Sequence, residues 1–261
     1  MFQTSVLASG SKGNALLVRS EATSVLLDAG VAAKTIFAAL EALRIERHSL
    51  QAVIVSHEHS DHVRSVGAIS RLLKIPLYIN YETYCQCSHR LGRLPVAVQF
   101  FETGSSFRIR DLVIHPFSSS HDAADSCNFT FLREGAEDRK LGIATDLGYP
   151  TAMAVNKLKH CSTLILESNH DERMLLEGPY PWELKQRIKS INGHLSNLQA
   201  VGVVSQVMHH GLRNLVLAHL SETNNDPDLA YQTMLAYLTS IRSDTRLFVA
   251  EQHHHTPLLD V

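Results

Sequence analysis

The sequence predicts an α/β fold, two sheets packed face to face with helices on their outer surfaces. Three observations point there. Along the chain the periodicity runs strands, helices, strands, helices, the order of layered sheets with outer helices. Ala52–Ser56 is short and wholly apolar, as a strand covered on both faces should be. The 261 residues are 44% apolar and 19% charged, with no internal repeat, low-complexity segment or long linker. That suits one domain with a large core over residues 1–261.

The elements follow in order. Phe2–Ala8, Asn14–Arg19 and Ser24–Asp28 read as strands, separated by turns at residues 9–13 and 20–23. Ala33, Ile36, Phe37, Leu40 and Leu43 recur at helical spacing. After Ala52–Ser56, the spacing of Val63, Val66, Ile69, Leu72 and Leu73 predicts a helix that ends before Pro76. A strand over Leu77–Asn80 and a polar helix from Tyr81 to Leu91 come next. The middle is β-rich: Val96–Phe101, Ser106–Ile109, Leu112–Phe117, Cys127–Arg133 and Lys140–Thr145. Then come a helix over Thr151–Lys159, a strand over Thr163–Glu167, and helices near Pro181–Ile191 and Ser196–His209. A strand at Asn214–Ala218 precedes a helix opened by Asp226-Pro227, with Asp as N-cap and Pro in the first turn. Arg246–Ala250 is the last strand expected.

Composition narrows the function. No run reaches the roughly 18 apolar residues that span a bilayer, and no secretory leader pattern opens the chain. Four Cys without a CxxC pair argue against a disulfide framework or a thiolate zinc site and fit a reducing cytosol, so a cytoplasmic location is expected. The formal net charge is −2, so a nucleic-acid partner would need a local basic patch. Sixteen His direct attention to metal ligands.

The decisive segment is Ser56-His57-Glu58-His59-Ser60-Asp61-His62, directly after the buried strand. Imidazole and carboxylate donors suit zinc, manganese or iron, and the absence of Cys favours an open catalytic site over a closed structural one. His57 and His59, two apart in extended backbone, point the same way. Asp61 and His62, in the turn that follows, are free to address a second position.

This HxHxDH pattern after an apolar strand resembles the signature of the metallo-β-lactamase fold, a four-layer αββα sandwich with two mixed sheets. The resemblance covers nearly the whole chain. Asp28 in LLDAG, His121 in SSSHDA, Asp146 in ATDLG and His219 in LAHLS resemble the family's further motifs in their order. It implies one divalent metal held by His57, His59 and His121, a second by Asp61, His62 and His219, Asp146 between them, and Asp28 orienting the loop. The motif helix reads His62-Val63-Arg64-Ser65, where many relatives carry Gly near position 65.

Four segments resemble the WalJ-like (YycJ) branch: Ser9-Gly10-Ser11-Lys12-Gly13-Asn14, Glu167-Ser168-Asn169-His170-Asp171, Gly193-His194-Leu195-Ser196-Asn197, and the HLSxxNN run from His219 to Asn225. That branch implies a 5′→3′ exonuclease on single-stranded DNA. Phosphodiester hydrolysis by a water activated between two metals is the mechanism expected. Asp61 would bind metal and orient that water, and His194 would stabilise charge or protonate the leaving oxygen. Glu167 would hold the His194 tautomer, with His170 as a rival partner.

Ser11, Lys12, Asn14, Ser196 and Asn197 are the expected substrate contacts, Ser196 as N-cap of a helix whose free N–H groups could meet a phosphate. RNA remains open as a partner. For the strand's path the candidates are Lys12, Arg64, Arg71, Lys185, Arg187 and Lys189, with Tyr180 and Trp182 as stacking residues. Lys185 and Lys189 equally read as a solvated helix face. Only 72 residues separate Asp146 from His219, too few for an inserted nucleic-acid domain. His253-His254-His255 reads as a surface tail. A thioester or lactam hydrolase of the same fold and a non-catalytic metal-binding partner stand as alternatives.

Overall fold

The structure is a computed structural model that describes residues 1–261 apart from the side chain of Glu137. The first half of the chain forms β1 (Phe2–Ala8), β2 (Ala15–Ser20), β3 (Ser24–Leu27), α1 (Ala33–Ala42), β4 (Ala52–Ile54), α2 (Ser60–Val63), α3 (Val66–Leu73), β5 (Leu77–Ile79), α4 (Tyr81–Leu91) and β6 (Gln99–Phe100). The second half adds β7 (Phe107–Ile109), β8 (Leu112–Ser118), β9 (Cys127–Arg133), β10 (Ala136–Ala144), α5 (Ala152–Leu158), β11 (Thr163–Glu167), α6 (Glu172–Glu177) and α7 (Trp182–Lys189). It ends with α8 (Asn197–Val207), β12 (Asn214–Ala218), α9 (Pro227–Ser240), β13 (Arg246–Val249) and β14 (Leu259–Asp260).

Two seven-stranded sheets result, ordered β14-β1-β2-β3-β4-β5-β6 and β13-β12-β11-β10-β9-β8-β7. Both are mixed. In the first, β1 to β3 pair antiparallel and β3 to β6 parallel; in the second, β7 to β10 pair antiparallel and β10 to β13 parallel.

Side-chain alternation builds the layers. Val25 and Leu27 of β3 and Ala52 and Ile54 of β4 face Phe129, Phe131, Ile143, Ile165 and Val216 between the sheets. Their neighbours Leu26 and Val53 turn outward to Ile36 and Leu40 of α1 and Ile69 of α3. In the second sheet Leu164, Leu166, Leu215 and Leu217 turn outward to α5, α8 and α9. Because β3, β4, β11 and β12 bury both faces, polar alternation is suppressed in them. The αββα sandwich expected from the sequence is the fold found. Among the described residues no helix is long and apolar enough to cross a membrane.

Several boundaries differ from expectation. The helix expected from Val63 to Leu73 is broken at Arg64–Ser65, because Ser65 turns its N–H to Ala29 O at 2.8 Å and restarts the helix as α3. Ser65 has φ −113°, open to any side chain, so the Gly of relatives is not required here. Of Val96–Phe101 only Gln99–Phe100 pairs, at an exposed edge. Neither α6, capped by Asp171, nor β14, which pairs with β1, was expected; each is too short to show a period. Asn14, Asp28, Ser56 and Thr145 lie just beyond the strands they were assigned to. A clasp joins the sheets at the far end: Ser20 Oγ and Thr23 Oγ1 of the β2–β3 turn donate to Asp111 Oδ1 of the β7–β8 turn at 2.7 and 2.5 Å.

Candidate metal centre

Strands β1, β3, β4, β8, β10, β11 and β12 release their C-terminal ends at one edge of the sandwich, and every residue of the expected metal constellation follows such an end. Three of them, Asp28 (φ 60°), Asp146 (φ 54°) and His219 (φ 58°), sit in the left-handed region. Asp visits this region with modest strain and His is several-fold enriched there; three at one edge mark a locally strained site. The conformation ends each strand at once and swings the side chain across the edge.

The donors converge in two overlapping groups. His57 Nε2 and His121 Nε2 lie 3.1 and 3.3 Å from His59 Nδ1. Asp61 Oδ2 lies 3.4 Å from His62 Nε2 and 3.7 Å from His219 Nε2. Asp146 reaches both, with Oδ1 3.7 Å from His121 Nε2 and 3.4 Å from His219 Nε2, and Oδ2 3.3 Å from His62 Nε2. The sets His57, His59, His121 and Asp61, His62, His219 each gather ligand atoms within 4.8 Å.

Behind four of the five imidazoles a neighbour holds the second nitrogen, which orients the ring and its tautomer. His57 Nδ1 meets Ser56 Oγ at 2.9 Å, and His62 Nδ1 meets Asp28 Oδ2 at 2.8 Å. His121 Nδ1 is 3.3 Å from Gly193 O, and His219 Nδ1 is 3.1 Å from Glu167 Oε1. Asp28 also accepts from Ser56 N and Ser56 Oγ, both at 2.8 Å, so it ties β3 to the loop after β4. Gly30 allows that closeness: a Cβ there would stand 1.5 Å from Asp61 O.

Glu167 is fully buried. Its Oε1 accepts from His194 Nδ1 at 2.8 Å, and backbone N–H groups of Asp146, Leu147 and Leu195 donate to the two oxygens at 3.2, 3.0 and 2.9 Å. Burial alone would raise its carboxyl, but the His194 and His219 imidazoles and their hydrogen bonds prevail and hold it at about 2. His170, the rival partner, does not take Nδ1 of His194.

Electrostatics test whether a cation fits. Burial opposes the charged forms, yet His62 and His219 hold Asp61 and Asp146 far below the usual carboxylate range. Despite their own burial, His62 is lifted well above its usual value by Asp146 and Asp28, and His219 to about 10 by Asp146 and Asp61. His57 and His121 are lowered, first by burial. Asp146 Oδ2 and His219 Nε2 are buried without hydrogen-bond partners. Ionised carboxylates and imidazole nitrogens converging at one edge, in a cluster with no Lys or Arg, are a donor set for divalent metal.

Above the cluster lies a cavity of about 320 Å³ that exposes His59, Asp61, His121, Asp146, His194 and His219. Ser11 is on its wall. The other expected substrate contacts are placed differently. Ser196 is buried in a capping box with Gln199, and Asn197 is bonded to Ser168 and Asn225. Asn14 is buried, bonded to Gly10, with its Nδ2 3.2 Å from His62 Nε2. Lys12 reaches out to Glu222 at 2.5 Å. For Asn14, Ser196 and Asn197 the physical reason is common: each polar group already has an internal partner that holds the turn or helix start in place. Lys185 donates to Leu176 O and Gly178 O, a capping role for α6, and Trp182 is 60% exposed on the outer surface. His253, His254 and His255 lie apart from the cluster, as expected.

Sequence reading missed Gln252. Its Oε1 accepts from Lys12 N at 2.9 Å and its Nε2 donates to Gly13 O at 2.8 Å, clamping the turn that carries Ser9. Ser9 Oγ in turn accepts the N–H of His219 at 2.7 Å. Only tertiary proximity joins residue 252 to residue 12.

Two mixed sheets, outer helices and a His/Asp donor cluster at one strand edge define a metal-dependent hydrolase of the metallo-β-lactamase fold. The chain belongs to the β-lactamase superfamily domain family, whose model matches residues 23–220. It is 36% identical over 227 residues to exodeoxyribonuclease YycJ of Bacillus anthracis, covering 87% of this chain and 85% of the relative. It is 32% identical over 267 residues to exodeoxyribonuclease WalJ of Streptococcus pneumoniae, covering 100% and 98%. The metallo-β-lactamase fold protein YhfI of Bacillus subtilis superposes with a TM-score of 0.75 at 17% identity, over 98% of this chain and 99% of that one. The branch resemblance read from the motifs is thereby borne out.

Proposed function

We propose that the chain is a cytoplasmic, single-domain exonuclease that hydrolyses single-stranded DNA from the 5′ end with two divalent metal ions. The observation that carries this reading is the His194–Glu167 pair beside the donor cluster. The His194 ring lies 5.1 and 5.2 Å from those of His121 and His219, lines the cavity, and has Nδ1 tied to Glu167. A lactam or thioester hydrolase would have no evident task for it. The direction of attack and the preference for DNA rest on the branch resemblance and the names of the relatives.

His57, His59, His121, Asp61, His62, His219 and Asp146 would hold two cations, which when bound would supply Lewis acidity and lower the pKa of water toward ~7. Zinc, manganese and iron all accept these donors. Asp61, on the cavity wall, orients the nucleophile. Glu167 fixes the Nδ1–H of His194 and stabilises its imidazolium, so that Nε2 carries the proton to the departing oxygen. Removing that oxygen's charge as the P–O bond breaks is the differential effect that lowers the barrier.

The test joins elemental analysis of the native protein to digestion of single strands labelled at either end. The expected result is two divalent ions per chain and release of mononucleotides from the 5′-labelled end, abolished in His57→Ala. Thioester turnover with intact DNA, or no phosphodiester hydrolysis at full metal occupancy, overturns the reading.

A further inference from the structure

One wall of the cavity is apolar: Tyr180, with Leu184 and Ile188 of α7. Leu184 and Ile188 are four residues apart and share a helix face. None of the three joins the apolar cores between or outside the sheets. Helix α7 is held over the cluster from both sides. Lys185 Nζ donates to Leu176 O and Gly178 O at 2.8 and 2.7 Å, and Arg187 Nε and Nη2 grip Asp122 Oδ2 at 2.6 and 2.5 Å. Arg187 also offsets the Asp122 carboxylate on the cavity wall, and its Nη1 is unbonded among the described residues.

The turn at the end of β1 contributes a second polar group. From Ser9 to Asn14 each backbone N–H is engaged, by Glu251 O, Asn14 Oδ1, Gln252 Oε1, Gly10 O and Asp61 O, except that of Ser11. Among the described residues Ser11 N and Oγ have no hydrogen bond, and Ser11 lines the cavity.

Building on the phosphodiesterase reading, we propose that this cavity is a subsite for one terminal nucleotide. The base lies on Tyr180, Leu184 and Ile188, and its phosphate meets Ser11 N–H and Oγ and Arg187 Nη1. An aromatic and aliphatic wall accepts a base through its π-face whatever the base's identity. About 320 Å³ lies at the lower end of ligand-site volumes and suits one nucleotide. Tyr180, Leu184 and Ile188 are specificity-determining residues for a nucleotide over a bare phosphate.

The metal-loaded full chain is titrated calorimetrically with thymidine 5′-monophosphate and, separately, with inorganic phosphate. The nucleotide is expected to bind at least about tenfold tighter than phosphate, and Tyr180→Ala to lose about tenfold of that nucleotide affinity. Trp182→Ala, on the outer surface of the same helix, is expected to bind the nucleotide as wild type does. Equal affinity for the two probes, or equal loss in Trp182→Ala and Tyr180→Ala, overturns the subsite. Wild-type turnover of bis-p-nitrophenyl phosphate separates the two levels. Turnover with equal probe affinities removes the subsite alone, and no turnover at full occupancy removes the phosphodiesterase reading and the subsite with it.

Discussion

Glu167 Oε1 accepts the Nδ1 proton of His194 at 2.8 Å and lies 3.1 Å from Nδ1 of His219. One buried carboxylate thus orients a candidate proton donor and a candidate metal ligand, while backbone N–H groups of three residues hold it in place. Neighbouring centres are positioned together.

This sharing separates two substitutions. His194→Ala removes the proton donor and leaves Glu167 bonded, so kcat is expected to fall about 10²–10⁴-fold with metal content and Tm retained. Glu167→Gln turns an amide N–H₂ toward buried donors, which costs about 1–3 kcal/mol for each donor left unpaired. It is expected to lower Tm as well as kcat. Thermal melts, elemental analysis and phosphodiester turnover of both variants check the contrast.

Asp28 contacts the donor cluster only through His62 and Ser56. Asn tolerates its φ of 60°, so Asp28→Asn removes the charge without a backbone penalty. Metal affinity is expected to drop about 10–100-fold with the fold intact, measured by competition with a chelator against circular dichroism of the same samples.

Gly30 has φ outside the left-handed region, and its requirement is steric. Gly30→Ala would drive a methyl into Asp61 O and separate the LLDAG loop from the metal-binding loop. The expected loss is about 3 kcal/mol or more, read by urea unfolding, with reduced metal binding by the folded fraction.

The Asp111 clasp supplies a pH dependence away from the donor cluster. Partial burial would raise its carboxyl, but the Thr23 and Ser20 hydroxyls bind the charged form and lower it from its usual value. A depressed folded-state value means stability that is complete above the unfolded pKa of ~3.9 and lost as pH falls through the folded one. Asp111→Asn is expected to be about 1 kcal/mol less stable than wild type at pH 7, solvent screening included. That gap closes as pH falls through the folded-state value. Urea unfolding of the metal-free proteins at neutral and at acid pH checks it.

Much of the fold was legible because apolar periodicity is local. Ala52–Ser56 and Thr163–Glu167 could be recognised as strands from their own residues, and both run into the site. The unexpected pieces, α6 and β14, are set by contacts with distant segments: Asp171 N bonds Asn224 O, and Gln3 pairs with Asp260. Among the expected substrate contacts, polar type and motif position could not distinguish a side chain facing the cavity from one used inside. Ser11 faces it; Asn14, Ser196 and Asn197 do not.

By itself the sequence determined the chemistry available, since HxHxDH and the later Asp and His at strand ends specify which donors exist and in what order. Tertiary structure decided how they are used. Left-handed turns at Asp28, Asp146 and His219 aim side chains that are far apart in the chain at one place, and Glu167 and Gln252 hold them from behind. Distance along a chain carries no information about direction in space, and a ligand set is defined by direction.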